Sequence, residues 1–129
     1  MAASNRGGRA APKLGAHDLY LLGRYHWNRL QPGDMEKAIE YFENAIAIQP
    51  DFAQAYSGLA DTYSYMIDGD MAPTAEILPK ARAAADKALE LDPNLAEAHT
   101  ARGLVAHELE WDQIRARKEF LRAIELKPS

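Results

Sequence analysis

The 129 residues contain no cysteine. That excludes disulfide bonds and thiolate-ligated zinc, and it suits the cytoplasm and the periplasm alike. No apolar run approaches the roughly 18–20 residues that a membrane-spanning helix needs. No apolar, signal-like segment opens the chain; its first stretch, Met1 to Lys13, is small, glycine-rich and basic. Serines are scarce: Ser4, Ser57, Ser64 and Ser129. Neither a glycine-rich phosphate loop nor a nucleophile elbow is present. Lysine and arginine number 15 against 19 acidic residues, and three of the basic ones, Arg6, Arg9 and Lys13, sit in the opening stretch. The remainder is strongly acidic, which argues against a nucleic-acid-binding body. Residues 1–15 read as a disordered basic arm.

What the chain does have is one phrase, said three times. It runs Ala38-Ile39-Glu40-Tyr41-Phe42 to Ala45-Ile46 and Pro50, then Ala81 to Ala85, Ala88-Leu89 and Pro93, then Ala116 to Phe120, Ala123-Ile124 and Pro128. Apolar residues three and four apart form one helical stripe. A proline twelve residues after the first alanine stops the helix, since proline cannot continue it and biases its predecessor away from helical geometry. Each copy is preceded by a second helical stretch. The sequence predicts helices over 16–30, 35–48, 51–66, up to 91, 94–110 and 112–127. Asp34 is placed to cap the second, and Asp51 with Gln54 and Asn94 with Glu97 resemble capping boxes. Pro79 implies a kink or a separate short turn.

The stop prolines lie 43 and 35 residues apart. A period near 34 with two helices per unit is that of the tetratricopeptide repeat, as against about 33 with a β-turn in ankyrin and about 40–47 in HEAT or armadillo units. The first helices carry bulky Leu19, Tyr56 and His99 and small Gly23, Ala60 and Gly103 where the paired helix packs closest. The variable distance from these small residues to the next alanine places the length variation in the turn within each repeat, where insertions cost little. From Ala16 to Pro128 the chain therefore resembles the tetratricopeptide repeat family. The resemblance implies an all-α, right-handed superhelical array of three helix-turn-helix pairs, with repeats at about 16–50, 51–93 and 94–128. No copy has Trp at the first bulky position. Arg102 stands where an aliphatic residue is usual, which implies looser packing of the third repeat or an arginine offered to a partner. The wording of Leu19 to Arg29, Ala55 to Tyr63, Leu91 to Thr100 and Glu110-Trp111-Asp112 is similar to repeat regions of multidomain bacterial regulators, which carry winged-helix, kinase or cyclase domains.

Catalytic and metal chemistry find little support. His99 and His107 are eight apart on one helix, too far for a shared ion without a third ligand. His107-Glu108 begins like a metalloprotease helix, but Trp111 stands where the second histidine must be. Asp68-Gly69-Asp70 fails the calcium-loop pattern, with Pro79 at the twelfth position and no glycine at the sixth. Ser57 and Ser64 read as helix-surface residues. No catalytic, metal or cofactor role is expected, and the chain is read as not an enzyme.

What remains is a surface. Stacked helix pairs leave a concave side, which the resemblance implies is lined by the first helices. By register the groove holds His17, Tyr20, Arg24, Trp27 and Asn28, then Gln54, Ser57, Asp61, Ser64 and Tyr65, then Glu97, Thr100, Leu104, His107 and Glu108. Tyr, Trp and Arg anchor interfaces because they desolvate large areas at low entropic cost. The chaperone-binding subclass holds a terminal carboxylate with Lys and Asn, where this chain has Tyr20, Arg24, Gly58, Glu97 and Ala101. The expectation is a scaffold binding a peptide or protein in this groove, with no nucleic acid and no membrane as partner. The alternative is self-association through the apolar side of the last helix, Phe120, Leu121 and Ile124, which no capping helix follows. The expected location is the cytoplasm, with the periplasm left open.

Overall fold

A computed structural model describes residues 14–127; the expectations for 1–13, most of the basic arm, and for Pro128 lie outside the described residues. Among those described, six α-helices follow one another: α1 (Ala16–Arg29), α2 (Asp34–Ile48), α3 (Ala53–Asp68), α4 (Thr74–Leu91), α5 (Ala96–Leu104) and α6 (Gln113–Leu126). α5 continues into a π-helical turn, Val105–Leu109. The chain is an all-α helical repeat array.

The repeated phrase builds the second helix of each pair. α1 packs on α2, α3 on α4 and α5 on α6. Along the array α1 touches α3 and α3 touches α5, whereas α2, α4 and α6 touch no other second helix among the described residues. The first helices are thus the inner layer and share one surface. Phe42, fully buried, is the wedge of the first junction. Its ring lies against Gly23 of α1 and Gly58 of α3, where an added Cβ would come within 2.6 Å of ring carbons on either side. Gly103 leaves the same room for Phe120. In the second pair the phrase holds Ala85 instead, and bulk comes from α3 and the start of α4: Leu59, Tyr63, Met66 and Ile77 join the same core. Burying one such side chain contributes roughly 1.5–3 kcal/mol.

Several boundaries differ from the sequence reading. Asp51 and Asn94 cap nothing: α3 and α5 begin at Ala53 and Ala96, after Phe52 and Leu95, without a side-chain cap. Asp34 is the first residue of α2 and not its cap; Gly33, at φ 86°, precedes it. The Asp34 carboxylate instead accepts the Gln31 N–H at 2.7 Å and so holds the turn. Asp112 does cap α6, accepting from the Arg115 N–H. Pro79 neither kinks α4 into two elements nor makes a separate turn; it lies inside an unbroken helix. The carbonyl it leaves unbonded belongs to exposed Ala75, within reach of water. The extra length of the second repeat is carried mainly by longer helices, 16 residues in α3 and 18 in α4, and only to a small extent by the turn between them, residues 69–73 against 30–33 in the first pair. An added helical turn keeps its backbone hydrogen bonds and its apolar face, which a longer loop would forgo.

Arg102 does not loosen the third pair or reach outward. It is 6% exposed, with Nε donating to Asp86 and Nη1 to Glu110, both at 2.9 Å. Arg82 also donates to Glu110. The π turn makes this possible: its extra residue brings Glu110 back over Arg102 instead of one position further round the helix.

Candidate inner groove

The shared face of α1, α3 and α5 holds a hollow of about 250 Å³ lined by Trp27, Asp61, Ser64, Tyr65, Asp68, Thr100, Leu104 and Glu108. α3 supplies four of these at helical spacings of three and four, so its inner stripe forms the floor. Trp27 closes one side from α1, and Thr100, Leu104 and Glu108 close the other from α5 and the π turn. At the upper end Arg24 Nη1 donates to Asp61 Oδ2 at 3.4 Å, and its guanidinium lies 5.0 Å from the Trp27 ring centroid. Burial pushes the Asp61 carboxyl up to about 6; Arg24 opposes that rise and Glu97 adds to it. The Tyr20 hydroxyl is likewise raised, first by burial, with Arg24 opposing and Glu97 and Asp61 adding. A second hollow, about 370 Å³, lies under the α1–α2 turn and shares Tyr65 with the first.

The residues expected in the groove separate into three groups. Trp27, Asp61, Ser64, Tyr65, Thr100, Leu104 and Glu108 line the hollow, and Arg24 joins it through Asp61. Tyr20 sits beside them but packs inward on Phe42 and Phe52, with ring centroids 5.9 and 5.3 Å away. The rest lie elsewhere. Ser57 is buried, as is Ser64, so neither is a helix-surface residue as the sequence suggested. Gln54 belongs to a depression beside the α2–α3 and α4–α5 turns. His107 Nδ1 donates to Gln113 Oε1 at 2.8 Å and faces α6. His17, Asn28 and Glu97 are exposed and do not line the hollow. Asp68 was missed. Placing the end of α3 at Met66 hid it, although 61, 64, 65 and 68 form one helical stripe.

Two polar atoms here are unusual. Neither Trp27 Nε1 nor Ser64 Oγ has a hydrogen-bond partner among the described residues, although both atoms are buried. Thr62, by contrast, satisfies its hydroxyl on the Gly58 carbonyl at 2.7 Å. Among the described residues no three of His, Cys, Asp and Glu converge as a metal site requires, and no helix is long and apolar enough to cross a membrane.

Comparison with known proteins bears on this geometry. The family model of the TPR repeat matches residues 29–65, from the end of α1 into α3. No curated protein matches the sequence. Among solved structures, MamA aligns with a TM-score of 0.65 and 25% identity over 88% of this chain and 59% of that one. A thermophilic TPR protein of Thermus thermophilus aligns at 0.76 with 22% identity, over 88% of this chain and 58% of that one. The first TPR of Spaghetti (RPAP3), bound to the HSP90 peptide SRMEEVD, aligns at 0.70 with 18% identity, over 88% and 80%. The chain thus spans under two thirds of MamA and of the Thermus protein, while the first TPR domain of RPAP3 is matched over most of its length.

Proposed function

We propose that this chain, whose residues 29–65 match the TPR repeat and whose fold is that of TPR proteins, is a protein-interaction scaffold holding a partner's extended segment along the face of α1, α3 and α5. One observation carries the reading: the inner helices of all three pairs converge on a single hollow with aromatic walls and hydrogen-bonding groups left unsatisfied. Repeat proteins of this kind are generally non-catalytic scaffolds, and the fold neighbour RPAP3 is seen with a peptide bound. The acidic character of this groove sets it apart from a receptor for a segment such as SRMEEVD. The wording shared with multidomain bacterial regulators supports reading the chain as the repeat region of such a protein, acting in the cytoplasm. Selection from a displayed peptide library tests the proposal. Selected peptides are expected to lose binding to Trp27→Ala and Tyr65→Ala; binding that survives both changes would refute a groove site.

A specific observation favours a second reading, self-association. Trp111 is 81% and Ile114 86% exposed, with Leu121 and Ile124 half exposed on the same helix. Phe120, by contrast, is partly covered and lies against Gly103. Light scattering behind a sizing column decides: a mass of 14.3 kDa at every concentration refutes self-association, and a stable dimer supports it.

A further inference from the structure

The hollow has a chemistry that its shape alone does not give. Its walls are apolar or aromatic: Trp27, Tyr65 and Leu104. Three carboxylates border it. Asp61 is engaged by Arg24, but Asp68 and Glu108 are exposed and form no ion pair among the described residues. Two of the lining residues carry buried, unpartnered groups. Ser64 is only 5% exposed and lines the hollow, yet its hydroxyl makes no hydrogen bond, and the Trp27 indole N–H makes none. Leaving a buried donor unsatisfied costs about 1–3 kcal/mol, so a ligand offering acceptors to both recovers that loss. The indole can only donate, which calls for an acceptor such as a peptide carbonyl. The free carboxylates call for a cation, and the apolar walls for a hydrocarbon stem behind it. The chain already shows this environment accepting a guanidinium, with Arg24 lying over Trp27 and bonded to Asp61.

We propose that the hollow takes a lysine or arginine side chain from a partner's extended segment. The stem lies along Trp27 and Leu104, the charged head reaches Asp68 and Glu108, and an adjacent backbone carbonyl accepts from the Trp27 indole. This rests on the groove reading above and names the class of segment that the groove selects. The raised carboxyl of Asp61 fits the assignment, since with Arg24 beside it Asp61 adds little net charge, leaving the pull on a cation to Asp68 and Glu108.

The test uses the full chain carrying Trp111→Phe, in which Trp27 is the only tryptophan and its fluorescence reports the groove. Three seven-residue peptides share a neutral Ser/Gly frame and differ only at the centre: lysine, norleucine or glutamate. The lysine peptide is expected to change Trp27 emission saturably, and to bind about tenfold more tightly than the norleucine peptide, as two ion pairs with exposed carboxylates, each worth up to about 1 kcal/mol, imply. Asp68→Asn with Glu108→Gln should remove that margin while leaving the thermal transition in place, because both side chains are exposed; each single change should remove part of it. Equal binding of lysine and norleucine peptides, tighter binding of the glutamate peptide, or no response to any of the three would overturn the proposal. The groove reading fails separately: if library-selected peptides still depend on Trp27 while the lysine margin is absent, the groove stands and its basic preference falls.

Discussion

At the scale of single residues, the tightest constraint is the absence of side chains around Phe42. An alanine at 58 puts a methyl 2.6 Å from the ring, and Gly23 confines the buried wedge as closely from α1. Gly58→Ala is expected to cost about 1–3 kcal/mol in urea denaturation, with part recovered by Phe42→Leu in the same chain; no change in midpoint would show that the junction is loosely packed. Asp61 makes a different kind of prediction. Its carboxyl is raised to about 6 in the fold and titrates near 3.9 when unfolded. Between those values the native state binds more protons, so stability falls as pH rises through the window. Asp34 behaves oppositely: the hydrogen bond from His26 and contacts with Gln31 and Arg29 hold it below its ordinary value despite burial, and its contribution is lost only in stronger acid. The melting temperature of the native chain should therefore rise relative to Asp61→Asn between pH 7 and pH 5. Parallel curves would contradict the burial of Asp61.

At the scale of elements, the third pair is joined to the second by a charged knot of Arg82 and Asp86 on α4 with Arg102 on α5 and Glu110. Burial alone would raise Glu110, but hydrogen bonds from Arg82 and Arg102 hold it below the usual carboxylate range. Glu110→Ala strands a buried guanidinium and is expected to cost about 3 kcal/mol. Asp86→Asn, at the half-exposed end of the same knot, should cost less than about 1 kcal/mol. Equal losses from the two would mean that Glu110 is not the centre of the knot. This knot was not legible in the sequence, because a π turn at Val105–Leu109 has no residue signature and moves Glu110 by one position. The six helices were legible, since each organising helix shows its stripe and its stop proline. Their starts were less so: Asp51 and Asn94 have the composition of caps, but Phe52 and Leu95, one residue later, sit at the cap positions of α3 and α5. The groove followed the same logic. Residues in the middle of α3 could be placed by register, Asp68 at its uncertain end could not, and the missing partners of Trp27 and Ser64 arise only when three helices meet.

At the scale of the whole molecule, two surfaces compete to be the working face: the inner hollow and the apolar outer side of α6. Each carries one of the two tryptophans of the chain, Trp27 in the hollow and Trp111 at the turn into α6. The nitrogen-15 spectrum of the labelled full chain therefore gives one indole N–H signal for each face. The most direct measurement of the central claim is this pair of signals during titration with a library-selected peptide at constant protein concentration. The groove account predicts that the Trp27 signal moves and saturates while that of Trp111 stays in place. Movement of Trp111 alone, or a Trp27 signal indifferent to every bound peptide, would contradict it.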